Sequence, residues 1–222
     1  LFNQDVVVDP AMVEQLIDIA EQNPEFGILS PLHLNKDGTG IDERTVKYIT
    51  RETSVYFDDL LFNMVKPVYD VWFLPAAAWL ISEDCARTVG GFDDIFFIYG
   101  EDDDYCFRAK DKGYKFGMVP AAKMLHMHIA GTPSKQSPWK NIIKNSKYTT
   151  TLAVARLKRG SRSFLLEVLL WAIDHSAEKC KRLVKGHGTG FVSHFIAGFN
   201  VLIKLPKIFK HIQLSKHNGA FL

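Results

Sequence analysis

The run Glu101-Asp102-Asp103-Asp104 is the densest group of chemistry-bearing side chains in this 222-residue sequence. One or two carboxylates suffice to cap a helix, whereas adjacent acids repel one another, so the run is expected to take up a cation or a proton. The bland alternative is an over-capped, solvated helix start, because helix N-termini favour acids. A calcium loop of the EF-hand type fits poorly, since the run has neither the glycine at its sixth position nor the closing bidentate Glu. His126 and His128 stand two apart in an apolar strand and so share one face. One such histidine reads as an ordinary core or surface residue. Two of them after an acidic helix form, with a carboxylate, a competent divalent-metal set. Asp5 is expected near the C-terminal end of a strand, where α/β folds place ligand groups.

The elements that must hold these residues follow from pattern. Leu1 to Gln4 predicts a strand end, and Asp9-Pro10 predicts a helix start with Asp at the N-cap and Pro at the first helical position. Val13, Leu16, Ile17 and Ala20 mark that helix's apolar face, and Asn23-Pro24 ends it. Phe26 to Ser30 reads as a strand, Asn35 to Gly38 as a turn, and residues 41–68 as an ambiguous, partly amphipathic segment. Val71 to Leu74 and Trp79 to Ile81 are strand-like. Ser82 caps a short helix that Gly90-Gly91 stops, and residues 102–112 form a helix with acids in front and Gly113 behind. Tyr114 to Val119 and Lys123 to Met127 complete the strands.

Composition sets the frame. An apolar share of 47% is enough for a buried core, and 23% charged residues with no repeat exclude collagenous, mucin-like and multi-span membrane classes. Three widely spaced cysteines without zinc-site spacing point to a reducing, cytoplasmic compartment. Net charge is +2, but residues 1–134 carry 11 Lys+Arg against 22 Asp+Glu, and residues 135–222 carry 16 against 3. Two domains are therefore predicted: an acidic α/β core over 1–134 and a basic helical extension over 135–222. The opening Leu1-Phe2-Asn3 has no initiator Met and no signal-type pattern, as expected of a segment from a longer protein.

The order of these signals carries a resemblance. Asn3-Gln4-Asp5 precedes Asp9-Pro10, followed by Gly90-Gly91-Phe92-Asp93, Glu101-Asp102 with Cys106 and Arg108, Gly113-Tyr114, Val119-Pro120 and His126. Over residues 1–132 this is similar to the later part of a family 2 glycosyltransferase of the GT-A fold, a Rossmann-like nucleotide-diphospho-sugar transferase core, here without its first strands. The resemblance suggests bacterial enzymes that add a sugar, such as rhamnose or galactofuranose, to surface polysaccharide precursors.

The resemblance implies an inverting, metal-dependent transfer of a sugar from a nucleotide-sugar to a glycan or polyprenyl-linked acceptor. Asn3 and Asp5 match the donor-binding N-x-D motif, Asp5 and His126 the ligands of Mn²⁺ or Mg²⁺, with His128 as the alternative ligand. Asp102 matches the general base. Trp79, Gly91, Phe92, Asp93 and Glu101 fall where relatives shape the acceptor pocket. Ala76-Ala77-Ala78 replaces a Gly-Ala pair common in relatives, leaving acceptor specificity open. Such chemistry needs one cation at the leaving diphosphate and one base at the attacking hydroxyl, hence a single in-line displacement.

The basic extension has two readings: attachment to an anionic membrane surface, or packing on the acidic domain or a second subunit as a homo-oligomer. Its apolar stretches, Phe164 to Ile173 and Phe191 to Leu205, are interrupted by Glu167, His194, Asn200 and Lys204, which predicts helices lying on a membrane rather than crossing it. No nucleic-acid module is recognisable, so nucleic acid is not an expected partner. Two rival functions share these residues: a non-catalytic nucleotide- or glycan-binding module, and a metal-dependent phosphoesterase.

Overall fold

A computed structural model describes residues 1–96, 99–127, 138–159, 164–184 and 188–221. In chain order these form β1 (Val6–Val8), α1 (Pro10–Gln22), β2 (Phe26–Leu34), α2 (Glu43–Glu52), α3 (Val55–Leu61), β3 (Tyr69–Val71), β4 (Leu80–Ile81), α4 (Glu83–Val89), α5 (Glu101–Asp111), β5 (Lys115–His126), α6 (Pro138–Arg159), α7 (Phe164–Val184) and α8 (Gly188–Leu214). They fall into two compact units. One comprises Leu1–Gly91 with Tyr105–Ala130, and the other Phe92–Asp104 with Gly131–Phe221.

In the first unit, β2 is buried at every position except its last, and it lies parallel to β5. A strand covered on both faces reads as an unbroken apolar run, which is why Phe26 to Ser30 is visible in sequence. Its continuation through Pro31 and His33 is not. β1 pairs antiparallel with the His126 end of β5, β3 pairs antiparallel with its Phe116–Met118 end, and β4 borders β2. The sheet order is β1-β5-β2-β4, with β3 also on β5. Neighbouring residues divide between two apolar clusters. Ile28 and Met118 join one with Trp79 and Phe116, while Leu29 and Val119 join the other with Met12 and Leu16. Alternation along the strands thus builds a core on each face. This is the mixed α/β architecture that the resemblance implies.

Local chemistry explains the boundaries. Asp9 Oδ1 accepts the Ala11 N–H at 2.8 Å and Pro10 opens α1. The buried residues of α1 are Met12 and Leu16, and Val13 and Ile17 stay 38% and 41% exposed. The inward stripe is rotated toward Met12 from the expected face. The segment 41–68, ambiguous in sequence, holds two helices, α2 and α3. Asp42 caps α2 by accepting the N–H groups of Arg44 and Thr45 at 3.0 and 3.2 Å. The two strands expected across 114–127 are one, because β5 continues through Pro120-Ala121-Ala122, where its register on β2 jumps from Pro31–Val119 to Leu32–Lys123. Such a break in the ladder is a place where a sheet tolerates Pro.

The second unit is helical. Its core gathers Ile95 and Phe96 with Val154, Leu157, Trp171, Val201 and Ile208. Gly198 lets α8 approach α7 closely, since a Cβ there would lie 2.8 Å from His175 Nε2. Within α8, Gly190–Leu214 is long and apolar enough to cross a membrane by length and composition alone.

Candidate active site

The β1–β5 ladder brings Asp5 and His126 together. Asp5 lies in the turn that joins an extended N-terminal segment to β1, not at a strand's end. That segment is held by Phe2, which bridges Ala78, and by Leu1 and Trp79, which exchange hydrogen bonds at 2.9 and 3.0 Å. Asn3 N–H donates to the Ala77 carbonyl at 2.9 Å. Val6 sits opposite His126, and Met127 N–H donates to the Asp5 carbonyl at 2.8 Å. These bonds set Asp5 Oδ2 3.7 Å from His126 Nε2, with the imidazole 9% and the carboxylate 37% exposed. An oxygen and a nitrogen donor at that separation, the oxygen reachable from solvent, fit two positions of a divalent cation's coordination shell. His128 lies outside the described residues.

His33 was not legible as part of this cluster. It is fully buried on β2, its ring edge-on to His126 with centroids 5.8 Å apart, and its Nε2 lies 3.1 Å from Ser30 Oγ. A lone histidine in a continuous apolar run gives no signal of function. Only the parallel pairing of β2 with β5, with His33 opposite Met124, reveals the neighbourhood.

In the second unit, the acidic run meets cations of its own chain. Asp104 Oδ1 lies 2.7 Å from Lys158 Nζ and Asp103 Oδ1 lies 3.9 Å from Arg159 Nη1, so two of the acids face the last turn of α6. Asp102 Oδ1 accepts the Asp103 N–H at 2.9 Å. Glu101 Oε2 is buried and finds no hydrogen-bond partner among the described residues. Tyr99 and Gly100, with φ of 67° and 89°, turn the chain into this helix. Gly100 is required there twice over, because a Cβ would also meet Thr151 Cγ2 at 2.9 Å.

Asp93, expected in the segment that shapes the acceptor pocket, is 1% exposed. It is a structural hub. One oxygen takes the Lys158 ammonium, while the other accepts His211 Nδ1 at 2.5 Å and the Ile95 N–H at 2.9 Å. Burial pushes its carboxyl up, but the hydrogen bonds from Lys158, Ile95 and His211 and the Lys158 charge outweigh this and hold it below the usual 3.8. Oxygens of Asp93 and Asp94 and a nitrogen of His211 lie within 4.8 Å of one another, a set that can hold a metal ion. A cation there would share the Asp93 carboxylate with an ammonium.

The remaining expected contacts divide. Phe92 is 37% exposed. The Gly91 carbonyl accepts Arg108 Nη2 at 2.7 Å, and the Val89 carbonyl accepts Nη1 at the same distance. Trp79 is 2% exposed and packs against Tyr105 and Phe116, with Nε1 unpartnered among the described residues. This is a core position, so Trp79 can shape an acceptor pocket only from beneath.

Residues 2–177 match the family model described as "Glycosyl transferase family group 2". Similar curated proteins include an N-acetylglucosaminyl-diphospho-decaprenol L-rhamnosyltransferase of Mycobacterium tuberculosis, 29% identical over 140 residues that make up 56% of this chain and 45% of that protein. Another is the low-salt glycan biosynthesis hexosyltransferase Agl10 of Haloferax volcanii, 23% identical over 126 residues, 57% of this chain and 41% of that protein. The alignments thus take in less than half the length of each relative.

Proposed function

The chain belongs to glycosyl transferase family 2, and from that premise we propose that the protein transfers a sugar, with inversion, from a nucleotide-sugar to a glycan or lipid-linked saccharide acceptor in cell-envelope synthesis. The observation that carries the reading is the pairing of Asp5 with His126 at 3.7 Å, from segments far apart in sequence. The decaprenol in the mycobacterial relative's name favours a lipid-linked acceptor.

Asp5 and His126 would hold Mn²⁺ or Mg²⁺, with Asn3 beside them on the donor side. When bound, such an ion neutralises charge developing on the departing diphosphate. Asp102 takes the proton of the acceptor hydroxyl as that oxygen bonds to the anomeric carbon. The bond from that carbon to the diphosphate oxygen breaks, and its electron pair leaves with the nucleotide. One base and one displacement give inversion.

We place the second unit against the cytoplasmic face of a membrane. Leu165, Leu169, Phe195, Phe199 and Ile203 are each more than half exposed, and residues 135–222 carry 16 basic against 3 acidic residues. Apolar side chains flanked by lysines suit an anionic lipid interface.

Asp102→Asn in the full-length protein should lower turnover by about 10²- to 10⁴-fold, the usual contribution of a general base. A folded variant that turns over normally would remove Asp102 from this role. Asp5→Asn should abolish Mn²⁺ binding followed by electron paramagnetic resonance. Metal-independent donor binding without turnover would favour a binding module, and release of free sugar or phosphate without acceptor would favour a phosphoesterase.

A further inference from the structure

We propose that Lys158 is a positioning residue for sugar transfer: its ammonium closes the loop from Asp93 to Asp104 and so fixes Glu101 and Asp102 within it. This rests on the reading of Asp102 as the base. Lys158 Nζ bonds Asp93 at one end of the loop and lies 2.7 Å from Asp104 at the other. The Lys158 side chain is 2% exposed, and those of Asp93 and Asp104 are 0% and 2% exposed, so water does not screen the contacts. The ammonium also lies 5.3 Å from the Phe96 ring and 5.2 Å from the Phe221 ring, which restricts it to this place.

The loop needs such a clasp. Within it, Tyr99 occupies a left-handed conformation that a bulky residue adopts only when its surroundings impose it. Asp102 lies two residues from the clasped Asp104, in the same first helical turn. Releasing the Asp104 side chain leaves the turn that carries Asp102 without its Lys158 anchor, held by backbone bonds such as Asp104 N–H to the Gly100 carbonyl at 3.0 Å. Asp104 and Asp103 face the basic end of α6. Cations at that end offset part of the like-charge repulsion in the acidic run, Lys158 at Asp104 and Arg159 at Asp103.

The test uses the full-length protein, with a nucleotide-sugar and its acceptor, and three variants beside Asp102→Asn. Lys158→Met removes the clasp. Asp104→Asn detaches one end and keeps the Lys158–Asp93 pair that anchors the fold. Lys158→Arg keeps a cation able to reach both carboxylates. Misplacing a reacting group by an ångström costs about 100-fold. Lys158→Met should therefore lose about 100-fold in kcat and Asp104→Asn about 10-fold, with the donor KM unchanged and kcat partly restored in Lys158→Arg. Should Lys158→Met fail to fold, the other two variants decide. Wild-type kcat in folded Asp104→Asn, or a donor KM that rises in step with the loss of kcat, would overturn the proposal. If Asp102→Asn turns over normally, the base assignment fails instead, so the two failures are separable.

Discussion

Asp93→Asn keeps the shape of the side chain and removes its charge, which tests whether Asp93 is a hub or an acceptor contact. The side chain is fully buried and receives Lys158, His211 at 2.5 Å and the Ile95 N–H at 2.9 Å. An amide presents its NH₂ at one of the two oxygen positions, and either one then sets donor against donor. Breaking a buried pair costs about 3–5 kcal/mol, and the surviving Lys158–Asp104 contact at 2.7 Å places the expected loss near the lower end, about 3 kcal/mol. For a chain of this size that loss lowers Tm by about 6–12 °C. Thermal and urea denaturation of wild type and variant measure it. The acid limb supplies the sign. The folded carboxyl is held below its usual 3.8, so its contribution is complete above that value and disappears as pH falls through the lowered value. The gap between the two proteins should stay constant from neutrality down to weak acid and narrow only in stronger acid. A loss under about 1 kcal/mol, the size of an exposed ion pair, or a gap that closes near neutrality, would refute the hub reading.

Gly117→Ala should destabilise the first unit by about 1–3 kcal/mol through overpacking. The added Cβ would lie 2.7 Å from Leu29 Cδ2 and Val68 Cγ2 and 2.8 Å from Phe26 Cδ1, and urea denaturation showing equal or greater stability would contradict that geometry. The protein should co-sediment with vesicles containing anionic lipid and be released by salt, because each lysine near such a surface contributes about 1 kcal/mol. Leu165→Glu with Leu169→Glu should weaken that binding, and vesicle binding that ignores both salt and these substitutions would remove the membrane placement.

What could be read in advance was local. Asp9, Ser82 and the glycines after α4 and α5 announce helix ends because a cap is a contact between near neighbours. Motif resemblance singled out Asp5 and His126, and the fold brings them within 3.7 Å, although the turn that carries Asp5 is defined only by its pairing with the Ala77–Trp79 segment. His33 and Lys158 were invisible for one shared reason. Their significance lies in partners 93 and 54 or more residues away, His126 for the one and Asp93 with Asp104 for the other. A histidine in an apolar run and a lysine in a basic helix each look unremarkable until the chain is folded. Asp93 likewise drew notice in sequence by its motif position alone, and its bonds to Lys158 and His211 span 65 and 118 residues.

The irregularity at Pro120-Ala121-Ala122 divides β5 into two lengths with separate duties. The stretch from Phe116 to Met118 joins β3 and the core, while Met124 to His126 is matched to β1 and faces Asp5. Because side chains alternate faces along a strand, losing one residue at this joint would turn His126 away from Asp5 and leave the first stretch in place. The joint works as a vernier. Small insertions or deletions there would retune the imidazole's aim while sparing the scaffold, giving descent or design a place to adjust the ion cradle without refolding the rest.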